Sequence, residues 1–285
     1  MLNRGVSKHP LILCADDYAL SPAVTRGILD ALSAGRLNAT GAMTNRPLWR
    51  EAAPDVAGFA DRADIGLHLN LTLGAPLGPM PTLAPSGELP KLRPLLKAAR
   101  AGLLPREEIR AEIARQLDAF EDAMGRSPDF IDGHQHVQIL PGVSDWLLEE
   151  LVRRGLSGRL WLRDSADRLS RILKRRVELP KALIVATLGR GFAGKAHRLG
   201  FQTNDGFAGF SAFDLRRNYG RDFARYLVSP GARHLVMCHP GHVDEDPSAG
   251  EEVREPRARE LAFLLSDAFA PTLDAAGFSL QRWSK

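Results

Sequence analysis

The sequence predicts an α/β protein folded as a TIM-like, partly irregular (β/α) barrel in a single domain. Three observations predict it. Apolar runs alternate with amphipathic segments about seven times, the pattern of a parallel sheet with helices packed outside it. The polar residues suited to chemistry fall at the ends of those runs, where barrel active sites sit. The length, 285 residues, suits one such barrel. An open doubly wound sheet is the alternative. The domain is expected over residues 1–285, with its core at about 10–270.

The elements follow in order. Leu11 to Ala15 is a short apolar strand. Ser21 suits an N-cap and Pro22 the first helical position. Val24, Ile28, Leu29 and Leu32 then recur at helical spacing as far as Gly35. A strand is expected over Ala39–Met43, a helix over Trp49–Ala60 and a third strand over Ile65–Leu71. Residues 74–94, rich in proline and glycine, read as a surface excursion of the kind that shapes ligand sites. Pro105 opens a helix whose apolar face is Ile109, Ile113, Leu117, Phe120 and Met124. Phe130-Ile131-Asp132 begins a strand that ends in His134 and His136. A helix runs from Pro141-Gly142 to Arg153, and a strand lies near Leu160–Arg163. Asp167–Leu199 reads as helix, interrupted at Pro180 and at Gly189–Gly194. A strand at Phe201–Asn204, a helix at Phe213–Leu227, a strand at His234–Cys238, a helix at Pro256–Phe269 and a strand at Phe278–Trp283 complete the pattern.

Composition narrows the function. Hydrophobic residues make up 44% and charged residues 25%, the balance of a soluble globular protein. The net charge is +4, with both signs interspersed. A nucleic-acid partner is not expected, because that calls for a broader basic stripe. The densest cluster, Lys174-Arg175-Arg176 with Arg168 and Arg171, reads as a solvated helix face before it reads as a site for an acidic ligand or a membrane surface. Cys14 and Cys238 lie in apolar runs and are expected to be small buried hydrophobes, not a disulfide. Met1–His9 lacks the apolar stretch of a signal peptide, and no run is long enough to span a membrane. The expectation is a cytoplasmic protein without a transmembrane segment. Apolar helix faces suit a core or a homodimer interface equally.

The chemistry-bearing residues repeat one placement. Asp16 and Asp17 follow the first strand. His68 and Asn70 lie late in the third. Asp132, His134 and His136 end the fourth, and His239 and His242 follow the strand that closes at Cys238. In a barrel all these ends meet at one face. Aspartate and histidines from three strands suit a divalent ion with open positions. One aspartate of the pair can then stay free to accept a proton. Two residues apart on a strand, His134 and His136 would point the same way. Simpler roles compete: Asp16 or Asp17 as a helix cap, His68 as a core histidine, His136 as a structural residue. Asp132 is expected to orient a histidine, not to ligate. His9, His197 and His234 are expected to have no functional part. Tyr18, Asn70, Asn204, Asp205 and the 74–94 loop are candidates to hold substrate.

Taken together, Ala15-Asp16-Asp17-Tyr18, Gly66-Leu67-His68-Leu69-Asn70-Leu71, Asp132-Gly133-His134-Gln135-His136 and Met237-Cys238-His239-Pro240-Gly241 resemble the motifs of the YdjC-like carbohydrate deacetylases. That family includes chitooligosaccharide deacetylases and hopanoid-associated relatives. The resemblance runs from about Leu11 to Ser266. It implies a partly irregular TIM-like barrel with one divalent metal ion, magnesium or zinc, held by Asp17, His68 and His134. It also implies removal of an N-acetyl group from a small carbohydrate by metal-activated water, with Asp16 as general base and His239 as general acid. The chain departs from the family in its short His134-Gln135-His136 run. It also lacks the Asn-Ala-His motif of the hopanoid branch, so the particular sugar does not follow. A metal-dependent phosphoesterase and a non-catalytic sugar-binding relative are the rival functions.

Overall fold

The computed structural model describes residues 8–243 and 254–284. β1 (His9–Tyr18) leads into α1 (Pro22–Ser33), β2 (Ala39–Ala42), α2 (Trp49–Ala57) and β3 (Asp64–Leu69). Helices α3 (Leu92–Ala101) and α4 (Arg106–Met124) precede β4 (Phe130–Gly133), a 3₁₀ turn at His134–Ile139, α5 (Val143–Arg153) and β5 (Trp161–Leu162). Three short helices follow, α6 (Leu169–Arg175), α7 (Leu179–Leu188) and α8 (Phe192–Arg198). Then come β6 (Gln202–Thr203), β7 (Phe207–Ala208), α9 (Tyr219–Tyr226), β8 (His234–Cys238), α10 (Arg254–Leu265), α11 (Phe269–Ala275) and β9 (Phe278–Leu280).

The sheet runs β6-β5-β4-β3-β2-β1-β8-β7, with β9 also on β1, and every strand pair in it is parallel. Among the described residues no ladder joins β6 to β7. The barrel is therefore a curled half-barrel, open at that seam. Helices cover its outside, as the alternating pattern requires. α1 shows the local logic. Ser21 caps it by accepting from Val24 N, Pro22 sits in its first turn, and Val24, Ile28 and Leu32 are buried. Each such side chain contributes roughly 1.5–3 kcal/mol by leaving water. A Cβ on Gly27 would meet Gly241 Cα at 2.6 Å, so two glycines let α1 pass close to the loop that follows His239.

Register places the site. His68 lies opposite Asp132 in the β3–β4 pair. Ala15 lies opposite Cys238 in the β1–β8 pair, which sets Asp16 beside His239.

Several elements differ from expectation for local reasons. β3 stops at Leu69 because the Asn70 carboxamide turns the chain, its Oδ1 accepting from Thr72 N and Leu73 N at 3.0 and 3.1 Å. α3 (Leu92–Ala101) begins at the end of the proline-rich excursion, where no helix was expected. α9 starts at Tyr219, not at Phe213: Phe213 takes φ 50°, and Asn218 caps the helix from Arg221 N. The last helix divides into α10 and α11. Pro180 begins α7 instead of interrupting a helix. No described helix is long and apolar enough to cross a membrane.

Near the start of the strands, Asp64 anchors the C-terminal segment. Its carboxylate accepts from Trp161 Nε1, Arg282 Nε, Trp283 N and Ser284 N, each at 3.1 Å. Trp283 stacks on Trp161 at 5.0 Å, and Trp161 stacks on Phe130 at 4.3 Å. Asp64→Ala strands four donors at once and is expected to destabilise by about 3 kcal/mol, read as a lower midpoint in urea. Asp64→Asn, which keeps an acceptor, should cost less. Equal midpoints for the alanine variant and the parent would refute the anchor.

Candidate active site

The site is built from strand ends. In a regular strand Asp16 and Asp17 would face opposite sides. Here Asp17 takes φ 73° and Ala19 φ 69°, and the β1–β2 register shifts between Ala15 and Tyr18. This irregularity lets both carboxylates line one cleft. His68 reaches the same cleft from β3. Gly41 on β2 leaves room for it: a Cβ there would meet Asp132 Oδ1 at 2.9 Å and His68 Nδ1 at 3.1 Å.

Asp17 Oδ1 lies 2.8 Å from His134 Nδ1 and 3.3 Å from His68 Nε2. One oxygen and two ring nitrogens thus lie within 4.8 Å of one another. On its other ring nitrogen, Nδ1, His68 hydrogen-bonds Asp132 Oδ1 at 2.6 Å, which leaves Nε2 toward Asp17. Arg257 on α10 donates to Asp17 Oδ2 at 2.6 Å.

Arg163, directly after β5, is fully buried and ties the cluster together. It donates to Asp16 Oδ2 at 2.8 Å and Asp16 Oδ1 at 2.6 Å, and pairs with Asp132 Oδ2 at 2.5 Å. Cys14, Asp16 and Asp132 are also close enough to share an ion, but the Arg163 guanidinium already spans the two carboxylates. His239 Nε2 lies 4.0 Å from Asp16 Oδ2. Its backbone N–H donates to Glu260 at 2.6 Å.

Electrostatics follows from these contacts. Burial favours the neutral acid at Asp16, but the Arg163 charge outweighs it and holds the carboxyl at about 2. Burial acts on Asp17 in the same sense, and His134 and Arg257 overcome it, keeping the group well below the usual range. For His68 burial disfavours the cation, yet Asp132 and Asp16 raise it to about 10. For His239 burial dominates and lowers it to about 4, so the ring is neutral at neutral pH.

The structure brings Asp16, Asp17, His68, His134 and His239 to one cleft of about 620 Å³. The other candidates are placed as follows. His134 and His136 do not share a strand, because β4 ends at Gly133 and Gln135 and His136 take φ 53° and 61°. His136 still lines the cleft, but its Nδ1 lies 3.1 Å from Ser165 Oγ and its ring meets Phe207 and Phe210 edge-on. Burial, reinforced by Arg163, holds it at about 3. Tyr18 is buried with its hydroxyl on Ala52 O, so it packs and does not face substrate. Asn70 is spent on its own turn and on Asn45. Asn204 and Asp205 bond to residues 164, 171 and 206 outside the cleft. His9, His197 and His234 bond to Gly231, Thr203 and Tyr226, also outside it.

Arg163, Arg257 and Glu260 were not anticipated. Arg163 sits at a strand end, the same signal that marked the acids and histidines. Arg257 and Glu260 lie on a helix, where spacing gives no such cue.

A half-barrel of parallel strands with carboxylates and imidazoles gathered at the strand ends defines an α/β-barrel type of active site. Sequence comparison specifies the family. The chain belongs to the YdjC-like proteins, whose family model matches residues 10–275. It is 30% identical to the mouse carbohydrate deacetylase over 268 residues, covering 84% of this chain and 80% of the other. It is also 30% identical to a chitooligosaccharide deacetylase of Escherichia fergusonii, covering 95% and 96%. In fold it matches the crystal structure of an Enterococcus faecalis protein named for cellobiose-phosphate cleavage, with TM-score 0.73, 24% identity and coverage of 97% and 98%.

Arg163→Met would leave Asp16 and Asp132 buried without their counter-charge. It is expected to cost about 3–5 kcal/mol, measured by urea unfolding, with part recovered on adding Asp132→Asn. The Asp16 carboxyl is lowered from 3.8 to about 2. Its contribution to stability is therefore full above the unfolded value and disappears as pH falls through the folded one. A parent protein whose unfolding midpoint stays flat between those two values would contradict the pairing.

Proposed function

We propose that this protein is a metal-dependent hydrolase that removes the N-acetyl group from an N-acetylated sugar or oligosaccharide. The observation that carries the reading is the convergence of Asp17 Oδ1, His68 Nε2 and His134 Nδ1 next to Asp16 and His239. The names of the deacetylase relatives support it.

The donor set suits a divalent ion. One carboxylate and two imidazoles are the ligands of a catalytic zinc site with room for water and substrate. Magnesium prefers oxygen ligands, so of the two metals the nitrogen donors favour zinc. Asp132 on His68 Nδ1 supplies the outer partner such a ligand needs. Arg257 takes Asp17 Oδ2, leaving Oδ1 for the ion. When bound, the ion would supply a Lewis acid that polarises the acetyl carbonyl and acidifies water.

The chain's own groups move the proton. Asp16, ionised and aimed by Arg163, accepts it from the attacking water. Arg163 makes Asp16 a weak base, so the proton does not stay there. His239 is neutral at rest and stands 4.0 Å from Asp16 Oδ2. It takes up the proton and delivers it to the departing amine. Water gives one proton by this route to the amide nitrogen, so the amine leaves with acetic acid, which then releases its own proton to solvent as acetate forms.

Asp16→Asn removes the acceptor and is expected to lower kcat about 10²–10⁴-fold, assayed as acetate release from N-acetylglucosamine oligomers, with circular dichroism unchanged. Near-parental turnover in that variant would remove Asp16 from the role. Metal binding gives an independent readout. The His68 proton, held at about 10 in the metal-free protein, must leave before Nε2 can ligate. Zinc titration at neutral pH should release about one proton per ion, and affinity should rise with pH up to that value. Calorimetry in buffers of different ionisation enthalpy measures it; a titration that releases no proton would contradict a protonated His68 in the metal-free protein, and zinc affinity unchanged in His68→Ala would exclude it as a ligand.

A further inference from the structure

The floor of the cleft is polar, but its rims are not. One rim is α3, which lines the cleft with Lys91 at its entrance, Leu92 and Leu96; the other is α7, with Lys181, Ile184 and Leu188. α7 is apolar nearly all round, a pattern that normally places a helix inside a protein. Yet only Ala182 of its ten residues is buried, and Ile184 is 53% exposed. On its far side it borders a second groove, where Leu169 is 58% exposed.

The charge on these rims is one-sided. Between Glu88 and Glu107 the chain has five Lys or Arg residues and no acid; between Glu178 and Asp205 it has four and no acid. The whole chain is close to balance, 38 against 34. Arg93, Lys97 and Arg100 on α3 form no ion pair among the described residues. The unpaired cations of α3 favour an anionic partner, whereas across the cleft Lys181 already pairs with Glu178 and Lys195 with Asp145. Exposed aliphatic side chains beside unpaired cations are the makeup of a surface that lies in a bilayer interface.

We propose that the mouth of the cleft seats on an anionic phospholipid bilayer. Ile184 and Leu169 enter the headgroup region, and the α3 cations meet the lipid phosphates. Docking would open the cleft toward glycoconjugates held at the membrane. The surface stands whether or not the site deacetylates.

Vesicle flotation tests it with two probes, phosphatidylcholine alone and phosphatidylcholine mixed with phosphatidylglycerol. The protein should float with the mixed vesicles and not with the neutral ones, and about 0.5 M NaCl should release it. The Arg93→Glu/Lys97→Glu variant should lose at least about tenfold in affinity while hydrolysing soluble substrate normally. Ile184→Ser, checked for folding by its thermal melt, should lose several-fold. No flotation at low salt, or flotation equal on both vesicles, would overturn the proposal. So would a concentration-dependent dimer abolished by Ile184→Ser, which would put a second copy of the chain on α7.

Discussion

The site depends on one buried guanidinium. Three aspartates, Asp16, Asp17 and Asp132, are almost wholly removed from solvent at the strand ends, where burial alone drives carboxyls toward their neutral form. Arg163 spans two of them and Arg257 holds the third. The division has a chemical consequence. Asp16 and Asp132 are satisfied by Arg163, while Asp17 keeps one oxygen facing two imidazoles. Formal charge then leaves the cluster one unit negative when His68 is neutral. A proton on His68 or a cation between the rings can make up that unit. The raised affinity of His68 for its proton and the proposed binding of a metal would be two responses to the same deficit.

The backbone that delivers these groups is regular where register matters and irregular where direction matters. Parallel pairing sets His68 against Asp132 without any special residue. Turning Asp16 and Asp17 into one cleft needs a residue with positive φ and a slipped register. The chain after β4 does the same at Gln135 and His136. Non-glycine residues in this region cost of order 1–3 kcal/mol each. Asp17 is itself a proposed ligand and Gln135 and His136 follow another, His134, where the surrounding ion pairs can hold them.

This explains what was legible in the sequence. Strand–helix alternation identified the barrel, and the strand-end rule found Asp16, Asp17, His68, His134 and His239 because a parallel sheet forces those positions to one face. The rule failed where the chain leaves the strand. His136 was assigned a strand's periodicity, but two left-handed residues break it. Tyr18 and Asn70 sat near the right positions, yet one packs against α2 and the other folds its own turn. Arg163 obeyed the rule and was overlooked because arginine is ordinarily exposed. Only the two facing acids, Asp16 and Asp132, far apart in linear order, make its burial favourable. β6 and β7, two residues each, carry too little pattern to define an end.

The contrast between floor and rims bears on how the floor works. Ion pairs and hydrogen bonds strengthen as water is excluded, and Asp16, Asp17 and His68 on the floor are already buried. An occupant that also covers the aliphatic walls from α3 and α7 would dry the mouth as well. Asp16 gains most from this. Its carboxylate is a weak base because Arg163 stabilises the charge, and drying the cleft raises the cost of that charge without moving Arg163. Closure from above and the fixed guanidinium below therefore act in opposite directions on one proton acceptor.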